Sequence, residues 1–470
     1  MGDEWQGRKV LVLGLGETGL SCVRWLARHG ARLSAADTRA APPALGALRG
    51  EHPQLRLALG PFDQALLEGV DAVAASPGLA LREPILRAAV ARGIEVVGDV
   101  EIFARALARD AKGVRMLGVT GTNGKSTVTA LAAAMGRAAG LDAQAVGNIG
   151  VPVLDALSSA EASGYPDAYV VELSSYQLET TSSLALDAAT MLNLTQDHLD
   201  RYDTLADYAR AKERIFRHCR RRVVNRDDPW SAAMGDADAF SFGLGEPVDE
   251  LQWGLDAERR TLRRGHQALI EAGEMAMPGL HNVANGLAAH ALATSIGLDP
   301  APLARALREF RGLPHRVQPV AEARGVRFYD DSKGTNVGAS VAALEGFEVP
   351  VVLIAGGDGK GQDFAPLAPA VRSHARAVVL IGRDADAIAL ALAPTGVVVE
   401  RAATMEDAVE RAFTMARPGD AVLLSPACAS FDMFRNYGHR GDVFAAAARD
   451  VASGTGHGSK PDVPCPPRKA

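Results

Sequence analysis

The run Gly121-Thr122-Asn123-Gly124-Lys125-Ser126-Thr127 has the residue types that hold phosphate. Glycines let successive backbone N–H groups turn inward around phosphate oxygens. A following helix adds the partial positive charge of its N-terminus, Lys125 adds a full charge, and the Ser126 or Thr127 hydroxyl suits Mg2+. The commoner form of this loop carries a glycine five residues before its Gly-Lys pair, and that position here is Val119. A plain turn with a solvated lysine does not account for Gly-Lys-Ser-Thr at a strand–helix junction. The chemistry implied is binding of a nucleotide triphosphate.

Other reactive residues follow. Glu172 ends an apolar run, 169–171, and a carboxylate at a strand end near a phosphate loop is a hard oxygen ligand for Mg2+. His198, in Asn193-Leu194-Thr195-Gln196-Asp197-His198-Leu199-Asp200, suits a second metal or substrate orientation, although a lone histidine is more often structural. Lys212, in Tyr208-Ala209-Arg210-Ala211-Lys212, falls on a predicted helix, where most lysines are solvated. His281-Asn282-Val283-Ala284-Asn285 starts a helix, and the Asn282 and Asn285 amides can read adenine or phosphate, or simply cap. Arg316, in Pro314-His315-Arg316, has the charge to meet a γ-phosphate. Near the start, Gly14-x-Gly16-x-x-Gly19 follows one strand and Asp37 ends the next. Alone, that pattern supports a phosphorylated ligand and does not demand NAD. Asp37-Thr38-Arg39 and Ser76-Pro77-Gly78 fall at the ligand edge of such a sheet, though 76–78 reads equally well as a plain turn.

These residues need elements to position them. Strands are expected at 10–13, 32–36, 71–75 and 94–97, with a helix at 17–29, an alternation that implies a parallel sheet. A second sheet is expected from 115–119, 168–173, 188–192 and 222–225, then β-like hairpins between 240 and 277 and a helix at 283–296. A third α/β pattern has strands near 326–329, 351–355, 377–381 and 420–424. The expected class is α/β in three domains. Residues 1–110 form a Rossmann-like domain, 111–314 a central P-loop ATPase-type parallel sheet with added β hairpins, and 315–452 a Rossmann-like C-terminal domain, before a disordered tail at 453–470.

Composition narrows the class. The 470 residues are 47% hydrophobic and 23% charged with net charge −6, which argues against a nucleic-acid binder. The 4 cysteines are scattered with no Cys-x-x-Cys, so a reducing cytoplasm fits. No apolar run reaches the roughly 20 residues that span a membrane.

The whole set of motifs resembles the Mur ligase family over nearly all of residues 8–450. The segments that carry it, besides those above, are Gly147-Asn148-Ile149-Gly150, Val171-Glu172-Leu173-Ser174-Ser175, Asp331-Ser332-Lys333-Gly334-Thr335-Asn336, Gly356-Gly357-Asp358-Gly359-Lys360 and Ser425-Pro426-Ala427-Cys428-Ala429-Ser430-Phe431-Asp432. The last run points to the glutamate-adding branch, and the Asp-Asn-Pro-Arg signature of the diaminopimelate-adding branch is absent. The resemblance implies ATP-driven addition of D-glutamate to UDP-N-acetylmuramoyl-L-alanine through an acyl phosphate, in peptidoglycan precursor synthesis. It implies UDP-substrate contacts from Glu17, Thr18, Asp37, Thr38, Arg39, Ser76 and Asn148. ATP contacts are implied for Gly121, Thr122, Asn123, Gly124, Lys125, Ser126, Thr127, Asn282, Asn285, Arg316 and Asp331, with Lys333 also on phosphate oxygens. Two Mg2+ ions fall to Ser126, Glu172, His198 and Lys212, the last as a CO2-derived carbamate that turns a cation into an oxygen ligand. Thr335, Lys360, Ser430 and Tyr437 match the glutamate site. Gly334 stands where many relatives carry alanine, and Tyr437 where phenylalanine is common. A cytoplasmic monomer acting on small molecules is expected. The alternatives are another amino-acid ligase of the same superfamily, a nicotinamide-dependent oxidoreductase using the 14–19 glycines, and a non-catalytic nucleotide-binding module.

Overall fold

The computed structural model describes residues 4–198, 201–277 and 279–454. The tail expected from 453 lies outside them except for Ser453 and Gly454, which close the last described helix. Two compact units form. The first takes in the described residues to 194, then 201–277 and 282–311; the second takes in 195–198, 279–281 and 312 onward.

The first unit contains two sheets. One has strands Lys9–Leu13 (β1), Arg32–Asp37 (β2), Arg56–Leu59 (β3), Ala72–Ala75 (β4) and Glu95–Val97 (β5), in the order β3-β2-β1-β4-β5 and all parallel. The order reverses between β1 and β4, where ligands of doubly wound sheets bind. The other has Arg115–Thr120 (β6), Ala143–Gly147 (β7), Ala168–Glu172 (β8), Leu186–Met191 (β9), Cys219–Asn225 (β10), Phe240–Phe242 (β11), Gln252–Leu255 (β12), Thr261–Arg264 (β13) and Gln267–Glu271 (β14). Its order is β14-β13-β12-β11-β10-β9-β6-β8-β7. The region expected as hairpins is one only in part: β11 pairs parallel with β10 and β12, and β12-β13-β14 is the antiparallel meander.

Period-2 side-chain alternation joins these sheets. Met116, Tyr169 and Val171 face a core that also contains Val10, Val12, Trp25, Phe103 and Leu157. Leu117, Val119 and Val170 face the opposite core, with Val128, Leu131 and Met135 of helix Lys125–Ala138 and Leu287 and Leu292 of helix Leu280–Ser295. The first sheet and the central sheet thus share one buried apolar mass.

The second unit is built on Gln318–Ala323 (β15), Val326–Asp330 (β16), Val351–Gly356 (β17), Ala375–Ile381 (β18), Val398–Arg401 (β19) and Ala421–Leu424 (β20), ordered β15-β16-β20-β17-β18-β19. Only β15 runs antiparallel to its neighbour. Val351, Leu353 and Ala355 face one core and Val352 and Ile354 the other, so β17 is covered on both faces. Its uninterrupted apolar sequence is what such a strand requires.

Candidate active site

In the first unit, the C-terminal ends of β6, β7, β8 and β9 meet. Residues 121–124 connect β6 to helix Lys125–Ala138, whose N-cap Gly124 is left-handed at φ +82°. A side chain at Gly124 would start 2.5 Å from Asn285 Oδ1, and one at Gly121 3.0 Å from Leu192 Cβ. Those positions admit only glycine without rearrangement. Asn193, just past β9, braces the loop. It accepts from Asn123 N through Oδ1 at 2.8 Å, donates to Asn123 O through Nδ2 at 3.1 Å, and accepts from Thr122 N through its carbonyl at 2.9 Å. Its place in the 193–200 run gave no sign of this, because the partners are backbone atoms some seventy residues earlier. Ser126 is fully buried in the helix's first turn, and Lys125 Nζ folds back to donate to Thr122 O at 2.8 Å.

Glu172 lies beside Val119 in the parallel register of β8 and β6, level with the loop. It is 1% exposed. Oε1 accepts from Asn148 Nδ2 at 2.9 Å, while Oε2 is buried and has no hydrogen-bond partner among the described residues. A buried carboxylate oxygen left this way carries a large desolvation cost unless a cation or donor meets it. Together with the Ser126 hydroxyl, that donor set fits a hard, oxygen-seeking ion such as Mg2+. Lys212, on helix Leu205–Glu213, is also 1% exposed. Its Nζ donates to Gly121 O at 2.7 Å and stands 4.6 Å from the Tyr208 ring centroid. This lysine points into the floor of the phosphate loop and not into solvent. Asn282 and Asn285 occupy the first turns of helix Leu280–Ser295, with Asn285 against Gly124.

At the first sheet, Gly14 (φ +87°) leaves no room for a side chain: a Cβ would stand 2.7 Å from Ser76 Cβ, and one at Gly19 1.9 Å from Gly14 O. The loops after β1 and β4 are thereby pressed together. Asp37 is buried and already engaged. It accepts from Leu15 N at 2.6 Å and holds Arg39 through Nε at 2.8 Å and Nη2 at 2.6 Å. The Arg39 hydrogen bond, aided by Leu15 N–H against burial, lowers its pKa to about 2. Glu17 and Thr38 are exposed, and Thr18 and Ser76 half-buried.

The second unit gathers the remaining residues. The run Ser425–Asp432 passes between the turn after β16 and the turn after β17: Asp331 N donates to Leu424 O at 2.8 Å, Gly356 N to Pro426 O at 2.8 Å, and Asp358 N to Ala429 O at 3.0 Å. Asp331 is buried and accepts from Ser425 Oγ at 2.7 Å; burial raises its pKa to about 7, against the lowering from that hydrogen bond and the nearby Arg316. Gly334 lies where a Cβ would meet Asp331 Oδ2 at 2.6 Å. Arg316 sits between two residues of left-handed backbone, His315 (φ +60°) and Val317 (φ +47°), a strained conformation for a β-branched side chain. His315 Nδ1 pairs with Asp330 Oδ2 at 2.6 Å and holds that turn. Lys333 Nζ lies 5.3 Å from the Tyr437 ring centroid. Ser430 is buried, Tyr437 partly exposed, and Thr335 and Lys360 half-buried, the last at φ +51°. His198, also left-handed at φ +58°, belongs to this unit through its neighbour Asp197, which accepts from Asn336 Nδ2 at 3.3 Å. Arg440 gave no signal in the sequence. It is fully buried, with no carboxylate in ion-pair contact among the described residues, and donates to Ser332 Oγ (2.9 Å), Ser332 O (2.7 Å) and Cys428 O (3.0 Å). Burial lowers its pKa to about 10.

Family models match three successive stretches: "Mur ligase MurD-like, N-terminal domain" at residues 8–98, "Mur ligase middle domain" at 119–293 and "Mur ligase, glutamate ligase domain" at 315–428. The chain is 55% identical to a protein of Methylobacillus flagellatus named UDP-N-acetylmuramoylalanine--D-glutamate ligase, over 94% of this chain and 97% of that one. This chain belongs to the Mur ligase family. A second relative of the same name, from Nitrosomonas europaea, is 51% identical over 95% of this chain and 97% of its own. Among solved structures, the UDP-N-acetylmuramate-alanine ligase of Thermotoga maritima has the same fold, with TM-score 0.60 at 20% identity over 94% of this chain and 99% of that one. The Mur ligase fold thus combines the three parallel-rich sheets described above. No helix among the described residues is long and apolar enough to cross a membrane.

Proposed function

We infer that this Mur ligase is an ATP-dependent amide-forming ligase that joins D-glutamate to UDP-N-acetylmuramoyl-L-alanine, yielding ADP and phosphate, in peptidoglycan precursor synthesis. The observation that carries the substrate assignment is the 55% identity across 94% of the chain to a relative bearing that name. The chemistry rests on the glycine loop beside the buried Glu172 oxygen.

A carboxylate is a poor acyl donor, because oxide is a poor leaving group. Transfer of the γ-phosphoryl of ATP to the substrate carboxylate makes an acyl phosphate. The glutamate amine attacks the activated carbonyl, the C–O bond to phosphate breaks, and inorganic phosphate departs. The protein's part is positioning and neutralisation of charge. We assign the backbone N–H groups of 121–127, with Lys125, Lys333 and Arg316, to phosphate oxygens, and Asn282, Asn285 and Asp331 to the rest of ATP. Glu17, Thr18, Asp37, Thr38, Arg39, Ser76 and Asn148 go to the UDP substrate, and Thr335, Lys360, Ser430 and Tyr437 to glutamate. Asp37 serves by shaping the loop, its carboxylate being occupied by Arg39 and Leu15 N–H. Ser126, Glu172, His198 and carbamylated Lys212 would hold two Mg2+ ions, which when bound neutralise charge on the phosphates. Lys212 is buried with Nζ on Gly121 O at the floor of the phosphate loop, and a CO2 adduct there would turn a cation into an anionic oxygen ligand. The division at residues 110, 314 and 452 is assigned to UDP-substrate, ATP and glutamate domains, and the cell compartment to the cytoplasm.

An ADP-release assay with UDP-N-acetylmuramoyl-L-alanine tests the reading. Release should require both the nucleotide and D-glutamate, with L-glutamate a poor replacement. Release independent of the nucleotide, or none at all, would sink it. For Lys212, K212A should be inactive and partly restored by short carboxylates. No restoration, with an unmodified lysine in the intact mass of wild type, counts against the carbamate.

A further inference from the structure

The loop after β4, Ser76-Pro77-Gly78, is tied to the central sheet by one side chain. Arg201 donates from Nη1 to Pro77 O at 3.1 Å, forms an ion pair through Nη2 with Glu179 Oε2, and lies flat over Tyr176 with its guanidinium carbon 4.2 Å from the ring centroid. Its side chain is only 8% exposed. Behind it the aromatic rings continue: Tyr176 to Tyr202 at 6.2 Å between centroids, Tyr202 to Tyr208 at 5.2 Å, with Tyr208 Oη 3.5 Å from Thr122 Oγ1 in the phosphate loop. An exposed surface ion pair would be worth little, but this guanidinium is desolvated and fixed by a carboxylate, a ring and a carbonyl at once. Its planar fork meets three partners, two on helix Ser175–Glu179 and one in the loop after β4, whereas Lys would supply a point charge.

We propose that Arg201 is a positioning residue for the nucleotide substrate: it holds the 76–78 loop in the place from which that loop receives the UDP end, in register with the phosphate loop. The inference rests on the UDP-substrate assignment above. It accounts for a buried arginine that hydrogen-bonds a loop of the first sheet directly and reaches the phosphate loop only through three intervening tyrosine rings. Because the Pro77 carbonyl is held directly and the phosphate loop only through those rings, loss of Arg201 should weaken the nucleotide substrate and leave ATP binding nearly unchanged. A role in folding alone would move all ligands together.

The test compares wild type with Arg201→Met and, as a milder variant that keeps side-chain volume and the Pro77 contact, Glu179→Gln. Calorimetric titration with UDP-N-acetylmuramoyl-L-alanine, and separately with ADP, is read beside melting temperature and the KM for each substrate. Arg201→Met should raise the dissociation constant and KM for the nucleotide about tenfold, the scale of one charge-assisted hydrogen bond, with ADP affinity and the KM for ATP within about twofold. Glu179→Gln should shift the same constants about threefold in the same direction. Unchanged nucleotide binding in folded variants overturns the inference, as does an equal loss for ADP. Failure of wild type to bind the UDP substrate overturns the functional reading as well, which separates the two failures.

Discussion

The two glycine loops of the first unit share a plan and differ in their charge state. Both follow a central parallel strand, both contain left-handed glycines, and both open a helix: 14–19 after β1 and 121–124 after β6. Beside the first lies Asp37, with its oxygens taken by Arg39 and a backbone N–H. Beside the second lies Glu172, with one buried oxygen left unmet among the described residues. The first loop is internally neutralised, so it can cradle a ligand's shape without demanding a cation. The second presents a buried carboxylate oxygen that suits a cation. Electrostatic stress is thus concentrated where bond breaking is proposed and discharged where only recognition is.

Removing the stress should have the largest effect. Glu172→Ala and Lys125→Ala should each lower kcat by about 10²–10³-fold while the circular dichroism stays that of wild type. Glu172→Ala should also raise the melting temperature of the unliganded protein, because the buried unmet oxygen is gone. Near-normal turnover in either variant would break the contrast. A smaller loss is expected from Gly124→Ala. It forces an alanine into φ +82° and toward Asn285 Oδ1, costing about 1–2 kcal/mol in urea unfolding and raising the KM for ATP. The smallest effect belongs to Arg39→Met. A depressed folded pKa near 2 means that the Asp37 contribution to stability is present above the unfolded value of about 4 and fades as pH falls from there toward 2. The difference in stability between wild type and Arg39→Met should therefore be greatest near neutral pH, at no more than about 1 kcal/mol since Arg39 is half-exposed, and should vanish in acid. A difference that grew on acidification would contradict the assigned pairing.

The sequence showed the buried strands and hid most of the edges, β5 at 94–97 being an exception. Strands covered on both faces, such as β4, β8 and β17, are continuous apolar runs and stand out. Four strands gave no expectation: β3, β7, β15 and β19, each at the edge of its sheet. Arg56–Leu59 and Val398–Arg401 are exposed at both ends and only half-buried between, so nothing selects for an apolar run there. The same asymmetry governs the site. Gly124, Lys125 and Glu172 were legible because local chemistry constrains them: a left-handed cap, a phosphate charge, a strand-end carboxylate. Asn193, Arg201 and Arg440 were not, because their partners, many of them backbone atoms, belong to other segments of the chain, and such pairings leave no pattern in a single sequence.

Arg440 also sets an order of events during synthesis. The guanidinium that anchors Ser332 and Cys428 is carried by Tyr437–Ser453, the last described helix. While a ribosome is still making that helix, the 331–336 turn and the 425–432 run can lie near each other but lack the group that fixes both. Their final geometry is therefore a late event, separated from the first of those turns by about a hundred residues of translation at roughly 5–20 residues per second. The phosphate loop and its brace Asn193 leave the ribosome long before that helix is made.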